Sequence, residues 1–249
     1  MKALITGATS GIGRDMAVLL AKQGIDLIIA SRDTKKMEQI ARRLPVNVKT
    51  VTVDLSKASD CYYLYNEVKN EDIDILINNA GFGAFGLTWE VPLETELNMI
   101  DLNVRAVHIL TKLFLQDFMA KDSGYILNVA SSAGFLAGPL MSTYYATKSY
   151  VLRLTEAIHE ELRQSGSNVK IAALCPGHVE TGFDKRANVR HSIGGVSSRK
   201  VAKAGIDGMF RGKVVVLPGI LMKLTYIGEK FLTEPLMLRA AYKAQSKKG

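Results

Sequence analysis

The feature that most constrains the fold of this chain is a glycine-rich loop near its start. An apolar run, Ala3-Leu4-Ile5, leads into Thr6-Gly7-Ala8-Thr9-Ser10-Gly11-Ile12-Gly13, and apolar residues then follow a helical period as far as Gly24. The pattern Gly7-x3-Gly11-x-Gly13 is a variant of the dinucleotide fingerprint with one extra residue between the first two glycines. Glycines permit a tight turn and close approach to a pyrophosphate, whose charge a helix N-terminus favours. The loop therefore predicts a strand, a turn and a helix around a dinucleotide, contacted by Gly7, Thr9, Ser10, Gly11, Ile12 and Gly13.

The rest of the chain alternates short apolar strands with longer helical segments. Strands are predicted at 3–5, 27–30, 48–53, 73–77, 125–129, 169–174 and 214–217, and later helices at about 34–43, 58–70, 93–120, 143–164 and 198–210. Nearly continuous apolar strands separated by helices indicate right-handed crossovers and parallel strands buried on both faces. The predicted fold class is therefore α/β: a single Rossmann-type doubly wound domain, with a seven-stranded parallel sheet flanked by helices on both faces.

The length and the charge distribution bear on how the chain is divided. Its 249 residues contain no Pro/Gly/Ser-rich linker, and α/β domains commonly reach this size. We therefore expect one dinucleotide-binding and catalytic domain, 1–249, with a substrate lid region at 183–210 and a basic amphipathic tail at 218–249. The net charge is −3 over residues 1–184 and +11 over residues 185–249.

The apolar and basic tail leaves three alternatives open. Its two apolar stretches on either side of Pro235 suggest two short helices. They could cover the pocket, form a subunit interface or touch a membrane surface. Contact with the protein's own body or with a partner subunit is favoured over a membrane. We expect a homodimer or homotetramer without a nucleic-acid partner.

Other sequence features point to a cytoplasmic protein. No apolar run approaches the roughly 18 residues of a membrane span, and the first residues run straight into the strand and loop, so we expect no signal peptide. Cys61 and Cys175 lie far apart without metal-ligand spacing. Reduced, buried thiols and no metal site are therefore expected.

The end of the second strand indicates which dinucleotide is bound. There the chain reads Ser31-Arg32-Asp33. Arg32 can meet a 2′-phosphate through charge-assisted hydrogen bonds, whereas NAD sites place an acid against the ribose 2′-hydroxyl. Asp33 lies one or two residues too late for that acid and is expected to cap the helix from Thr34. NADP(H) is therefore favoured over NAD(H), with Ser31 and Arg32 as contacts.

A Tyr-x3-Lys spacing supplies candidate acid/base chemistry. On a helix, residues four apart share a face, so the Tyr144 hydroxyl and the Lys148 ammonium can act on one small volume. A nearby cation would lower the phenol pKa. The spacing recurs at Tyr65 and Tyr226, so it does not choose among three copies by itself.

Five motifs in register make the chain resemble the short-chain dehydrogenase/reductases. They are the loop Thr6–Gly13, Asn78-Asn79-Ala80-Gly81, Asn103, the set Ser131, Tyr144 and Lys148, and Pro176-Gly177-His178-Val179-Glu180-Thr181. The resemblance covers about residues 2–181. In that family a catalytic serine usually stands thirteen residues before the tyrosine, as Ser131 does here, which selects Tyr144 over Tyr65 and Tyr226. Ser132 is the rival serine, and on an extended strand end only one of the two should face the cofactor.

The resemblance implies a role for each catalytic residue. Ser131 would donate a hydrogen bond to the substrate carbonyl oxygen, and Tyr144 would protonate that oxygen or deprotonate the alcohol in reverse. Lys148 would lower the tyrosine pKa and hold the nicotinamide ribose hydroxyls. Asn103 would steady a water in the proton relay; the alternative is a buried, satisfied amide that breaks a helix.

The same resemblance implies further cofactor contacts. Asp54 and Leu55 would lie at the adenine, while Asn79, Ala80 and Gly81 approach the adenine ribose. After Pro176 and Gly177, Val179 and Thr181 would meet the nicotinamide carboxamide. Tyr144 and Lys148 would also touch the cofactor.

The chain is therefore expected to be an NADPH-dependent carbonyl reductase, reversible as an alcohol dehydrogenase. A mainly apolar pocket for a ketone is suggested by side chains outside the motifs, namely Phe82, Phe85, Trp89, Phe135, Leu136, Leu140 and Met141. The alternative substrate is a 3-oxoacyl thioester of CoA or a carrier protein. A remote alternative is an NADPH-sensing regulator without turnover.

Overall fold

The computed structural model describes residues 1–183, 187, 195–219, 222, 226, 228 and 233–248. Its strands are β1 (Lys2–Thr6), β2 (Asp26–Ser31), β3 (Val48–Thr52), β4 (Ile75–Asn78), β5 (Tyr125–Val129), β6 (Lys170–Leu174), β7 (Val179–Glu180), β8 (Val196–Ser197) and β9 (Val215–Val216). Its α-helices are α1 (Gly11–Ala21), α2 (Thr34–Ala41), α3 (Ala58–Val68), α4 (Leu93–Ile100), α5 (Ala106–Ala120), α6 (Ser142–Ser165), α7 (Ser198–Phe210) and α8 (Glu234–Gln245).

Seven strands form one parallel sheet in the order β3-β2-β1-β4-β5-β6-β9. Every neighbouring pair is parallel, with Thr6 of β1 beside Ala30 of β2 and Ile5 beside Ile77 of β4. The predicted seven-stranded doubly wound sheet is confirmed. β7 and β8 form a separate two-stranded ribbon.

The strands alternate their side chains between two apolar layers. Ile5 and neighbouring inward residues pack against α1, α2 and α7, where Met16 and Ile206 are buried. Leu4 faces the opposite side, where α3, α5 and α6 supply the cover and Phe114 is buried. Because each strand is covered on both faces, its sequence reads as an apolar run rather than as an alternating one.

The chain order reverses direction in the sheet between β1 and β4. Strands β2 and β3 lie on one side of β1, and β4, β5, β6 and β9 lie on the other. In open parallel sheets, ligands bind outside the carboxyl ends of the strands at such a reversal. The glycine loop follows β1, and Asn79-Ala80-Gly81 follows β4, so both motifs lie at this point.

Two predicted segments differ in detail from the structure. The predicted helix at 93–120 is α4 and α5 joined through a π-helical turn at Asp101–Arg105. Within the predicted lid, 198–210 forms α7, whose Val201 and Met209 are buried in the sheet layer. Residues 184–186 and 188–194 of that lid, and most of 220–232 in the tail, lie outside the described residues.

The end of the predicted tail forms α8, which carries Pro235 in its first turn. Pro235 has the fixed φ and the missing N–H that suit the start of a helix. Within the described ranges, no helix is long and apolar enough to cross a bilayer.

Candidate active site

A cavity of about 1070 Å³ opens along the carboxyl ends of the central strands. Ser131, Tyr144 and Lys148 line it together with most of the residues predicted to bind the cofactor: Gly7, Thr9, Ser10, Gly11, Ile12, Ser31, Arg32, Asp54, Leu55, Asn79, Ala80, Gly81, Pro176, Gly177, Val179 and Thr181. Of the predicted site residues, Gly13 and Asn103 lie behind this wall. One cavity therefore joins the glycine loop to the Tyr-x3-Lys pair.

The glycine loop has the backbone that its sequence requires. Gly7 and Gly11 have φ values of +67° and +54°, which favour glycine. A Cβ at Gly13 would lie 2.3 Å from Asn79 Nδ2 and 2.7 Å from the Gly7 carbonyl oxygen. The first turn of α1 contains no acidic residue. A glycine-rich turn without acidic side chains at a helix N-terminus fits a pyrophosphate.

Asn79, which follows the neighbouring strand β4, holds the loop in place together with Thr6 of β1. The Asn79 amide Nδ2 donates to the carbonyl oxygens of Thr6 at 2.9 Å and Gly7 at 3.1 Å. In return, Thr6 Oγ1 accepts from the backbone N–H groups of Asn79 at 3.0 Å and Ala80 at 3.1 Å. These contacts fix two of the predicted motifs to each other at the sheet reversal.

At the end of β2, Arg32 and Asp33 are the two candidates for selecting the cofactor, and their side chains have different environments. Arg32 is exposed and lines the cavity. The Asp33 carboxylate instead caps α2 by accepting from Lys36 N–H at 3.0 Å, which confirms its predicted capping role. At the end of β3, the Asp54 carboxylate accepts from the Ser56 N–H at 3.2 Å and hydroxyl at 2.9 Å.

Three polar side chains converge at the other end of the cavity. Tyr144 and Lys148 share a face of α6, as their spacing predicted, and both are buried. The Lys148 ammonium donates to the Val129 carbonyl oxygen at 2.8 Å and lies 5.9 Å from the Tyr144 ring centroid. Ser131 Oγ accepts from Ala133 N–H at 3.1 Å, and the Ser131 side chain is near enough to Tyr144 to act on the pKa of its phenol.

Burial favours the neutral form of both titratable groups. It raises the pKa of Tyr144 to about 12, against the opposing effect of the hydrogen bond from Ser131. It lowers the pKa of Lys148 to about 8. The expected fall of the phenol pKa beside the lysine is therefore wrong for this structure, because desolvation outweighs the favourable interactions of the phenolate.

The expectation that only one of Ser131 and Ser132 faces the cavity is also wrong. Strand β5 ends at Val129, and a 3-10 turn begins at Ser132, so the two serines do not alternate as on a strand. Both line the cavity. Ser131 is the serine that acts on the pKa of Tyr144, whereas the backbone N–H of Ser132 donates to the Pro176 carbonyl oxygen at 2.8 Å.

Asn103 sits in the π-helical turn and is fully buried. Its Oδ1 accepts from Phe82 N–H at 3.1 Å, and its Nδ2 donates to the Phe82 carbonyl oxygen at 2.8 Å and to Thr147 Oγ1 at 3.1 Å. A Cβ at Gly81 would lie 2.9 Å from Asn103 Oδ1 and 3.5 Å from Lys148 Nζ. Asn103 thus ties the loop after β4 to the helix that carries Tyr144.

The apolar pocket contains only part of the predicted set. Phe82 and Met141 line the cavity. Phe85 packs beside Met141 and Tyr144 without lining it, and Phe135 packs in a different cluster. Leu136 and Leu140 are also absent from the lining. Trp89 is 81% exposed, so it does not serve as a pocket wall.

Several lining residues were not predicted from the sequence. They come from α4 and the π-helical turn, from α6, from the chain after β6 and from the C-terminal end: Glu94, Thr95, Asn98, Leu102, Tyr145, His178, Phe183, Ala244, Gln245 and Lys247. The polar residues of α4 lie on the helix face opposite Leu93 and Leu97. This amphipathic pattern could have predicted that one face of α4 lines a cavity. No local pattern in a basic tail distinguishes Gln245.

The rival Tyr-x3-Lys copy at Tyr65 has a different environment. The Tyr65 hydroxyl donates to Asp117 at 3.0 Å, and its ring packs edge-on against Phe114. The Tyr226 ring packs against Phe135 with centroids 4.7 Å apart, while Lys230 lies outside the described residues. Neither tyrosine lines the cavity, in agreement with the choice of Tyr144.

Comparison with known sequences identifies relatives over most of the chain. A family profile described as short chain dehydrogenase matches residues 1–191. An uncharacterized oxidoreductase of Staphylococcus saprophyticus is 32% identical over 185 residues, covering 72% of this chain and 78% of the relative. The human very-long-chain 3-oxoacyl-CoA reductase is 31% identical over 200 residues, covering 74% of this chain and 61% of that protein.

Solved structures extend the similarity nearly to the whole chain. A short-chain dehydrogenase from Sphingobium yanoikuyae in complex with NADPH superposes with a TM-score of 0.85 at 29% identity, covering 95% of this chain and 94% of that one. A Burkholderia phymatum short chain dehydrogenase/reductase in complex with NAD gives 0.82 at 27% identity, covering 90% and 91%. The bulky-bulky ketone specific alcohol dehydrogenase of Comamonas testosteroni gives 0.79 at 26%, covering 95% and 93%. Matched in sequence over residues 1–191 and in fold over 95% of its length, the chain belongs to the short-chain dehydrogenase/reductase family of oxidoreductases.

Proposed function

We propose that the protein is an NADPH-dependent reductase of ketone carbonyls, and that it runs in reverse as an alcohol dehydrogenase. The observation that carries this proposal is the placement of Ser131, Tyr144 and Lys148 on the wall of the cavity that begins at the glycine loop. When bound, the cofactor supplies a hydride. The protein must then orient the carbonyl and deliver a proton to its oxygen.

The three side chains divide this work. Ser131 donates a hydrogen bond to the carbonyl oxygen and stabilises the charge that develops there. Tyr144 transfers its phenolic proton to the same oxygen, a contribution of typically 10²–10⁴-fold. Because burial holds the pKa of Tyr144 at about 12, the phenol is in its proton-donating form at neutral pH. Lys148 holds the nicotinamide ribose hydroxyls, as the family resemblance implies.

For Asn103 we propose a role in the proton relay, where the family resemblance places an amide that steadies a water. Support comes from its position: its side chain bonds to Phe82 and Thr147 and lies beside the Gly81 position that Lys148 also approaches. A shift of Asn103 would therefore disturb the Lys148 end of the relay.

The choice of NADP(H) rests on Arg32. Arg32 lines the cavity, while the carboxylate of Asp33 is engaged at the start of α2. A guanidinium can form bidentate, charge-assisted hydrogen bonds with a 2′-phosphate. The solved relatives include one complex with NADPH and one with NAD, so the family alone does not decide the preference.

The proposed substrate is a ketone with an apolar body. Phe82, Met141 and Phe183 line the cavity near Tyr144, whose ring lies 5.3 Å from that of Phe183. Such walls bind apolar groups, and a few polar atoms orient the ligand. The Comamonas testosteroni relative is described as specific for bulky-bulky ketones, which agrees with this substrate class.

Substitution of Tyr144 by phenylalanine tests the reaction. The Tyr144→Phe variant should bind NADPH normally but lose roughly 10²- to 10⁴-fold in kcat, because only the transferable proton is removed. NADPH oxidation is followed over a panel of ketones, and cofactor binding by NADPH fluorescence. Tyr65→Phe, in the same sequence motif but outside the cavity, is the matched control. Near-normal turnover by the Tyr144→Phe variant would refute the mechanism.

A second candidate function is reduction of 3-oxoacyl thioesters. The human relative at 31% identity carries that activity in its name, and the basic C-terminal quarter offers charge for a phosphorylated carrier. Comparison of kcat/KM for acetoacetyl-CoA with values for simple ketones discriminates the two. A strong preference for the thioester would transfer the assignment to this class.

A further inference from the structure

Gln245 is a buried residue at the end of a largely exposed helix. On α8, Leu236 and Tyr242 are 57% and 50% exposed, yet Gln245 is only 4% exposed. Burying an amide is costly unless its polar atoms find hydrogen-bond partners. A buried polar side chain at this position therefore requires an explanation in its contacts.

One half of the amide has a clear partner. Gln245 Nε2 donates to the hydroxyl of Tyr145, the residue that follows the proposed acid. The Tyr145 ring is held by the backbone on its other side, since a Cβ at Gly138 would lie 2.3 Å from it. The rings of Tyr144 and Tyr145 meet edge to face, with centroids 6.2 Å apart. This arrangement fixes the Gln245 amide close to the reacting end of the cavity.

The other half of the amide is unused. Gln245 Oε1 is buried and accepts no hydrogen bond within the part of the chain that the structure describes. A buried acceptor left without a donor costs about 1–3 kcal/mol. Gln245, Ala244 and Lys247 line the same cavity as the cofactor loop residues. The unsatisfied oxygen has almost no exposed surface itself, but it belongs to a side chain of the cavity wall.

We propose that Gln245 is a specificity-determining residue, whose amide turns about its side-chain torsions when substrate binds, so that Oε1 accepts a hydrogen bond from a donor on the substrate. This inference rests on the proposed carbonyl reduction and narrows its substrate class. The preferred ketone carries a second polar group, a hydroxyl or an amide N–H, at a distance from its carbonyl. A wall that hydrogen-bonds such a group discriminates against analogues that lack it, because its own acceptor is then left unpaired.

Two matched series of ketones measure that distance and separate the two donors. The first compares ω-hydroxy-2-alkanones of five to ten carbons with 2-alkanones of equal chain length. The second compares N-methyl oxoalkanamides with the corresponding methyl oxoalkanoates, which replace the amide N–H by an ester oxygen. The readout is the ratio of kcat/KM within each pair, measured with NADPH.

The wild type should prefer the donor-bearing member by roughly ten-fold at one or two chain lengths, as expected for one net hydrogen bond. Gln245→Met keeps the side-chain length and removes both amide atoms, so the ratio should fall toward one at those lengths. Gln164→Met makes the same change at an exposed site on α6 and should leave the ratio as in the wild type. Preference in only one series would assign the donor as hydroxyl or as amide.

Binding measurements separate this inference from the proposed function. Under conditions without turnover, the melting temperature is measured with each hydroxyketone and with its deoxy partner. The rise that each ligand causes is then compared between wild type and Gln245→Met. If no ketone is reduced, the proposed function fails, yet a larger rise with the hydroxyketone that Gln245→Met abolishes still supports the role of Gln245. Equal ratios in wild type and Gln245→Met, or no donor preference at any length, would overturn it.

Discussion

At the scale of single residues, the site depends on how burial affects charge. Tyr144 and Lys148 are both removed from water, so burial favours the phenol and the amine over the phenolate and the ammonium. A protonated Tyr144 is useful in the reductive direction. A charged Lys148 costs folding free energy, and that cost depends on pH.

Replacement of Lys148 should reveal this cost. The pKa of Lys148 is about 8 in the folded protein and ordinarily 10.5, so between these values the unfolded chain binds more protons and stability rises with pH. The difference in unfolding free energy between wild type and Lys148→Met should therefore shift in favour of wild type by on the order of 3 kcal/mol from pH 7 to pH 10.5. Urea unfolding of the cofactor-free proteins across that range provides the measurement. A difference that does not vary with pH would show that Lys148 is not desolvated.

Arg32 gives the second residue-scale prediction. Arg32→Ala should lower kcat/KM for NADPH by roughly 10- to 150-fold, corresponding to a charge-assisted hydrogen bond of 1.5–3 kcal/mol, and leave the value for NADH nearly unchanged. Arg42→Ala at the C-terminal cap of α2, where Arg42 pairs with Glu38, is the matched control. An unaltered cofactor preference in Arg32→Ala would remove Arg32 from this role.

At the scale of secondary-structure elements, the site is held together by hydrogen bonds between different loops, strands and helices. The glycine loop is fastened by the amide of Asn79, and the third glycine leaves room for that amide. The loop therefore depends on β4 as much as on its own sequence.

Gly13→Ala should loosen the cofactor cradle. The new methyl group would meet Asn79 Nδ2 at 2.3 Å and displace the Asn79 clamp. We expect the dissociation constant for NADPH to rise at least roughly ten-fold and stability to fall by about 1–3 kcal/mol from overpacking. The comparison is Gly24→Ala, which has φ +75° and no neighbouring atom within 4 Å. Gly24→Ala should lose stability through backbone strain, but its dissociation constant for NADPH should not change. An equal loss of NADPH binding in both variants would contradict the proposed role of Asn79 in holding the loop.

Helix and strand positions were largely predictable, because apolar periodicity reports burial directly. Local spacing also predicted Asp33 as a cap, since capping involves residues three apart. The π-helical turn at Asp101–Arg105 was not predicted, because its Asn103 is held by Phe82 from another part of the chain. The two serines were misjudged for a similar reason: the strand ended before them.

The whole molecule exposes an apolar stripe beside its active site. Leu93, Leu97 and Ile100 share the outer face of α4, and Trp89 precedes them, all exposed. The opposite face of α4 contributes Glu94, Thr95 and Asn98 to the cavity. Contiguous exposed apolar side chains commonly mark an interaction surface.

We predict a homo-oligomer that covers this stripe. Light scattering after gel filtration should give a multiple of the chain mass of 27.2 kDa. Leu93→Gln combined with Leu97→Gln should shift the mass toward a single chain, because the apolar contact is lost. Tyr62→Gln with Tyr63→Gln on α3 changes an equally exposed pair and should not. A wild type with the mass of one chain at all concentrations would contradict the prediction.

At the scale of the whole molecule, the sequence predicted the sheet and the cofactor-binding wall of the cavity better than the wall where the substrate is proposed to bind. Strand alternation implies a parallel sheet with its ligand at the reversal, so the cofactor wall followed from Gly7, Asn79 and their order in the chain. The position of α8 against Tyr145 depends on a contact between residues one hundred positions apart. Composition describes the tail as basic and apolar but does not indicate which surface it covers.

That separation between Tyr145 and Gln245 also has a consequence for biosynthesis. At about 5–20 residues per second, a ribosome adds Gln245 roughly 5–20 s after Tyr145. During that interval the nascent polypeptide already contains the glycine loop, Ser131, Tyr144 and Lys148, but not Gln245. The proposed catalytic residues therefore emerge during translation before this part of the cavity wall.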